Sequence, residues 1–234
     1  YQGDNSEIRG SNGPLKVSEV TDRNPIYEGL FKAAEENKIP LNKDYNGDEQ
    51  EGIAYTQTTI FKGERMSAEV AYLRPIKSRK NLSTITKSLV TKLLFNGKTC
   101  VGVEVKSKGK LINFNCAKEV ILCGGAINSP QVLELSGIGR RDVLEEKGIP
   151  VIHELEGVGE NLRDHLGPRL VYHITKSGIA YNDKARGANL IKQVLTYVFK
   201  KDGFLTLPSA PVIGFLKTRK ELVAPDIQVH FIPY

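Results

Sequence analysis

The chain has 234 residues, a formal net charge of +6, 40% hydrophobic and 26% charged residues, which describes a soluble globular protein of one or two domains. No apolar run approaches the ~20 residues needed to span a bilayer, and residues 1–6 lack the basic and apolar regions of a leader. The positive charge does not read as a nucleic-acid footprint, because lysines alternate with acids (Glu35-Glu36-Asn37-Lys38, Glu145-Glu146-Lys147) and form no basic stripe interleaved with aromatics.

The missing initiator Met reads as that of a piece of a longer chain. The first element is a helix capped by Asn24, with Pro25 at its first position and Ile26, Leu30, Phe31 and Ala34 on one face. It ends between Asn37 and Pro40. Residues 41–52 are rich in Asn, Asp and Gly and read as loop. Ser67 caps a second helix over 68–73, which Pro75 stops.

A β-rich stretch follows. Strands are expected over 82–86 and 89–95, with a turn at Asn96-Gly97. Residues 101–105 alternate as a half-buried strand does. A three-residue loop, Ser107-Lys108-Gly109, would return the chain as a strand over 111–116, placing Cys100 opposite Cys116. With Cys123 these are the only cysteines. The number is odd and no C-x-x-C pair occurs, so free thiols in a reducing, cytoplasmic setting are expected.

Glu119-Val120-Ile121-Leu122-Cys123 is apolar on both faces, which argues for a central strand of a covered sheet. Gly124-Gly125 closes it, and Ser129-Pro130 is expected to open a helix directly afterwards. A glycine turn beneath a helix N-terminus suits a phosphate-bearing cofactor; an ordinary strand–turn–helix junction would look the same. A helix over 141–147 with Gly148 behind it, a short strand over 149–152, a strand over 169–175, a helix over 190–200 and strands over 213–217 and 226–232 complete the reading. In the last, Ile227, Val229 and Phe231 share one face, the pattern of an antiparallel sheet. His153, His173 and His230 show no ligand spacing, and no metal site is expected.

The stretch Gly125-Ala126-Ile127-Asn128-Ser129-Pro130-Gln131-Val132-Leu133-Glu134-Leu135-Ser136-Gly137-Ile138-Gly139 is similar, at all fifteen positions, to the second signature of the glucose–methanol–choline (GMC) family of FAD-dependent oxidoreductases. Four further stretches resemble the same family, particularly its bacterial choline-dehydrogenase-like branch. They are Gly157-Val158-Gly159-Glu160-Asn161-Leu162-Arg163-Asp164-His165, Gly63-Glu64-Arg65-Met66-Ser67-Ala68, Gly10-Ser11-Asn12-Gly13-Pro14-Leu15 and Pro225-Asp226-Ile227-Gln228-Val229-His230-Phe231. The G-x-G-x-x-G turn that opens the family's fold is absent, as is its closing histidine region, so the chain resembles the middle of such an enzyme.

The resemblance implies an α/β (α+β) fold: part of an FAD-binding parallel-sheet domain plus an antiparallel-sheet substrate domain. Residues 1–80 would be substrate-domain and connecting segments, 81–166 part of the FAD domain, and 167–234 substrate domain. It implies hydride transfer from an alcohol CH–OH to flavin, with a small alcohol as substrate and the acceptor open between oxygen and a quinone. Val90 would lend backbone groups to the adenine, Gly125, Ala126 and Ser129 would lie on the adenosine side, and Asn161 and Asp164 would pack under the flavin half. Val90 as a plain core residue, and Asp164–His165 as a structural pair, remain open. No catalytic residue is assigned, and the isolated chain is expected to be inactive. A cyanohydrin-splitting protein of the same fold and a non-catalytic interaction module are the alternatives. The resemblance also implies that choline-acting members hold the ammonium with a carboxylate from the strand before Gly214-Phe215. Here 205–217 contains no Asp or Glu, and Pro211 stands about where the acid would be.

Overall fold

The computed structural model describes Tyr1 and residues 9–234; residues 2–6, read above as lacking a leader pattern, lie outside the described residues. The first elements are β1 (Ser18–Glu19), α1 (Pro25–Glu36), β2 (Gly52–Tyr55), β3 (Gln57–Thr58), β4 (Ile60–Phe61) and β5 (Glu64–Arg65). Then come β6 (Ser88–Asn96), β7 (Thr99–Ser107), β8 (Lys110–Asn115), α2 (Gly125–Leu135), β9 (Ile138–Gly139), α3 (Arg141–Glu146) and β10 (His153–Glu154). The last are α4 (Tyr181–Lys184), α5 (Gly187–Lys200), β11 (Val212–Leu216) and β12 (Ile227–Phe231). Tyr1–Leu82 and Val171–Tyr234 form one compact unit, and Ser83–Leu170 another.

In the first unit, α1 starts as its sequence dictates. The Asn24 side chain accepts from Ile26 N–H at 3.2 Å, and Pro25 follows. Asn24 Nδ2 also donates to Ile179 O at 2.8 Å, so one side chain caps a helix and pins a segment far along the chain. The helix lays Tyr27 and Ala34 against Ile53 of β2 and Val212 of β11. The sheet runs β12-β11-β2, antiparallel throughout, and its other face packs Ala54 and Ile213 on Tyr45. Tyr27 is fully buried, with its hydroxyl 3.0 Å from that of Tyr181 and 3.3 Å from Asp22 Oδ2.

Asp44 ties the loop before β2 to the sheet. Arg9 pairs with it, and its Oδ1 accepts from Gln57 Nε2 at 2.9 Å and Asn46 N–H at 3.3 Å. Burial alone would raise this carboxyl, but the hydrogen bonds from Gln57 and Arg9 outweigh it and hold it below its ordinary value of 3.8. A carboxylate depressed in the folded state stabilises the fold above the unfolded value and loses that contribution as pH falls through the folded one. Asp44→Asn should therefore cost about 1 kcal/mol at neutral pH, since the site is partly exposed, and make the acid limb of the stability curve shallower below pH 3.8. Urea melts across that range measure this; an unchanged acid limb contradicts it.

In the second unit, β6-β7-β8 form an antiparallel sheet. A bulge at Thr91 interrupts the β6–β7 register between Val90 and Lys92; Thr91 Oγ1 turns instead to Glu104 Oε1 at 2.7 Å. The β7–β8 loop is Lys108-Gly109, both with positive φ (49° and 79°), and Ser107 pairs with Lys110. This two-residue turn matches strand twist better than the expected three-residue loop. It shifts the register by one: Cys116 N–H donates to Val101 O at 2.8 Å. Alternation then assigns Cys100 and Cys116 to opposite faces. The Cys116 thiol approaches only the Cys100 carbonyl, at 3.7 Å, and all three cysteines are free.

Other expectations also change. Residues 82–86 and 169–175 form no strand, and neither does 119–123, where Ile121 is 75% exposed. A strand exists by pairing, and among the described residues nothing pairs with these runs. Among the described residues, parallel pairing is confined to β9 with β10 and an isolated Leu41–Ile53 bridge. The strand expected at 149–152 forms instead just beyond it, because His153 and Glu154 are the ones in register with Ile138 and Gly139. After Ser67, whose Oγ accepts from Val70 N–H at 3.2 Å, the chain makes a π turn (Glu69–Leu73) and then a 3-10 turn (Arg74–Ile76) that contains Pro75 rather than stopping at it.

Candidate functional site

The candidate residues all lie in the second unit, on three elements. Val90 is half-buried on β6 and pairs with Val105 on β7. Gly125, Ala126 and Ser129 occupy the first half of α2. Asn161 and Asp164 lie in the exposed segment after β10; Asn161 has φ 58°, and Asp164 Oδ1 accepts from His165 N–H at 2.8 Å. No hydrogen bond joins the three groups directly among the described residues.

The start of α2 differs from expectation. The helix begins at Gly125, four residues before Ser129, so Ser129 is not its cap and Pro130 lies inside. Gly125 has φ 82°, a conformation open to glycine at little cost, and this lets the chain enter the helix earlier than Ser-Pro would. Pro130, lacking an N–H, forgoes the bond to the Ala126 carbonyl. The Ser129 hydroxyl makes no hydrogen bond among the described residues, so Ser129→Ala should leave thermal stability within about 0.5 kcal/mol of the parent. A loss near the ~1 kcal/mol expected of a cap would restore the original reading.

A β-carbon placed on Gly125 would meet no heavy atom within 4 Å. Residues 125–128, the first turn of α2, are exposed, and the N–H groups that a helix start leaves without intrahelical partners suit an anionic group. Gly124 is more crowded: its β-carbon would fall 3.1 Å from Ser129 N, so a side chain there requires the helix start to give by a few tenths of an ångström.

The C-terminal end of α2 holds the other two elements. Leu93 N–H on β6 donates to Ser136 Oγ at 2.7 Å, and the same hydroxyl donates to Val132 O at 2.5 Å. Ser136 is buried, so this one side chain fastens the outer edge of β6, three residues from Val90, to the end of α2. Glu134 lies under the loop that leads to Asn161, where a β-carbon on Gly159 (φ 80°) would fall 2.5 Å from Glu134 Oε1. Arg140 completes the support, forking to Asp142 at 2.5 Å and Glu160 at 3.0 Å. The hydrogen bonds to Asp142 and then Glu160 raise the Arg140 pKa, and Arg140 in turn lowers that of Asp142.

The sequence reading missed Glu134, Ser136 and Arg140 as positioning residues. Ser136→Ala would leave the buried Leu93 amide unpaired and should cost about 1–3 kcal/mol. Hydrogen exchange at Leu93 should quicken accordingly; unchanged protection would show that Ser136 does not secure the strand.

A family model described as GMC oxidoreductase matches residues 4–167. The chain belongs to the GMC oxidoreductase family. It is 40% identical to human mitochondrial choline dehydrogenase over 228 residues, covering 97% of this chain and 38% of that protein. It is 39% identical to the alcohol dehydrogenase (acceptor) of Pseudomonas putida over 235 residues, covering 98% of this chain and 42% of the other. Among solved structures, a formate oxidase of Aspergillus oryzae RIB40, described for its FAD modification, matches with a TM-score of 0.84 at 25% identity, covering 96% of this chain and 43% of that one. The chain thus spans about two fifths of the length of these relatives.

Proposed function

We propose that these residues are the central part of an FAD-dependent alcohol oxidoreductase that moves hydride from an alcohol CH–OH to flavin. The observation that carries this reading is the 125–139 stretch. It is folded as a helix whose glycine-opened first turn is exposed and whose far end holds both other candidate segments. The residues present fit the adenosine side of FAD. The first-turn N–H groups of α2 would meet its anionic portion, the backbone at Val90 the adenine, and the Asn161–Asp164 segment the flavin half. Ser129 would face the adenosine through its free hydroxyl rather than by capping. On this reading Ser83–Leu170 belongs to the FAD-binding domain and the β12-β11-β2 unit to the substrate domain.

FAD, when bound, supplies the hydride acceptor; this chain binds and orients it. No residue here is assigned the proton transfer. The test compares two polypeptides. The 234-residue chain alone should purify without stoichiometric flavin, since no G-x-G-x-x-G turn is present. One that carries the rest of the family's length as well should be yellow and bleach anaerobically with an alcohol. A longer protein without flavin, or a bound flavin that no alcohol reduces, would overturn the proposal.

A further inference from the structure

In an antiparallel pair, successive residues turn their backbone groups alternately toward the partner strand and away from it. Two contacts fix that alternation along β6 and β7. Leu93 N–H leaves β7 and donates to Ser136 Oγ at 2.7 Å, so Leu93 faces outward and Lys92, beside it, faces β7. Glu104 O accepts from Thr91 Oγ1 at 3.2 Å, so Glu104, the partner of Lys92, turns toward β6. Its neighbour Val105 then turns away from β6. Val90, which pairs with Val105, turns its own N–H and C=O away from β7.

The outward-facing residues are therefore Val90 and Leu93, where an unbroken strand would have Thr91 and Leu93. The bulge makes the difference. Thr91 and Lys92 together stand opposite Glu104. Without the extra residue, Val90 would direct its backbone groups to β7 and Thr91 would face out. The Glu104 carboxylate grips both residues of the bulge: Thr91 Oγ1 donates to Oε1 at 2.7 Å, and Lys92 Nζ stands 3.6 Å from Oε2. The Glu104 side chain is only 18% exposed, which strengthens its hydrogen bond to Thr91.

We propose that the Thr91–Glu104 pair positions the cofactor: by holding the bulge, it turns the Val90 backbone outward to read the adenine of FAD. This rests on the FAD reading above and adds to it the residues that make Val90 competent. An outward-facing strand residue offers one N–H donor and one C=O acceptor side by side. Adenine carries the complement, an acceptor at N1 beside the N6 donor. Thr91 and Glu104 are positioning residues that act through Val90.

The test measures dissociation constants on the flavin-free form of the longer protein that carries this chain, for FAD and for the analogue with hypoxanthine in place of adenine. Hypoxanthine reverses the pattern, with a donor at N1 and an acceptor at C6, so it sets donor against donor and acceptor against acceptor. The parent should prefer FAD by at least about tenfold. Thr91→Val keeps the branched side chain and loses the hydroxyl; it should cut that preference below about threefold. Thr91→Ser should keep it. A variant that merely weakened the fold would lose affinity for both ligands and retain the ratio. A retained ratio in Thr91→Val would overturn the proposal and leave the FAD reading intact, and so would loss of the preference in Thr91→Ser. A parent without preference would overturn it together with the place given to Val90. A longer protein that takes up no FAD would overturn it together with the FAD reading itself.

Discussion

Tyr27→Ala should lower the stability of the α1-containing unit by about 3–5 kcal/mol, the cost of deleting a large aromatic side chain from a packed core. Tyr27 has no exposed surface and meets Tyr55 and Phe231 edge to face, at centroid distances of 6.3 and 6.4 Å. Its removal would open a cavity between α1 and the sheet and take a partner from the hydroxyls of Tyr181 and the carboxylate of Asp22. Tyr27→Phe separates the two contributions, since it keeps the ring and loses the hydroxyl; about 1 kcal/mol is expected. Burial raises the Tyr27 pKa, and it pushes that of Tyr181 up to about 12. Acids whose folded pKa is raised stabilise the fold fully below their unfolded value and lose that contribution as pH rises toward the folded one. The parent unit should therefore weaken above about pH 10, and Tyr27→Phe should weaken less. Thermal melts at neutral and alkaline pH give both readings. Equal losses for the Ala and Phe variants would show that the ring does not fill the core.

What the sequence revealed was mostly local. Asn24-Pro25 states where α1 begins, because a cap and a fixed φ act within one turn. The alternation of β7 and β12 was legible for the same reason. The β7–β8 register was not, because it turns on a lysine, Lys108, adopting positive φ, which side-chain type does not announce. The run at 119–123 shows what apolarity cannot say. It reports that a segment suits burial on both faces, but pairing is a property of neighbours. At α2, Ser-Pro satisfied a genuine rule, and the adjacent glycines offered the chain an earlier start.

The positioning residues were hidden by distance. Leu93 and Ser136 lie 43 residues apart, and only the fold makes them partners. The fifteen-residue signature led to α2 and to its open N-terminal turn. It could not show that Glu134 and Ser136, at the opposite end of the same stretch, hold β6 and the 157–160 loop. On the proposed reading, the segment that would meet the cofactor and the residues that fix its place share one stretch, α2 with its C-terminal Ser136.

The second large effect concerns substrate. In the flavin-loaded protein that carries this chain, choline should reduce the flavin about a hundredfold more slowly than an uncharged aliphatic or aromatic alcohol. A quaternary ammonium held away from water needs aromatic faces and a nearby anion, and a buried charge without its partner costs several kcal/mol. β11 itself carries no such anion. Pro211 and Val212 are fully buried, and 205–217 contains no acid. Two carboxylates at the strand's far end are engaged: Glu51 pairs with Lys217 at 3.2 Å, and Asp226 accepts from Thr218 N–H at 2.8 Å and Oγ1 at 2.6 Å. The 40% identity to human choline dehydrogenase is spread over 228 residues and does not speak for one acidic position; the relative named as an alcohol dehydrogenase is as similar, at 39%. Phe204, Phe215 and Phe231 are half-buried and pack on Tyr181, Tyr45 and Tyr27. Anaerobic stopped-flow reduction with choline and with uncharged alcohols decides it. Faster reduction by choline would mean that the cation finds its anion elsewhere, and substituting candidate acids one at a time should then reveal which carboxylate supplies it.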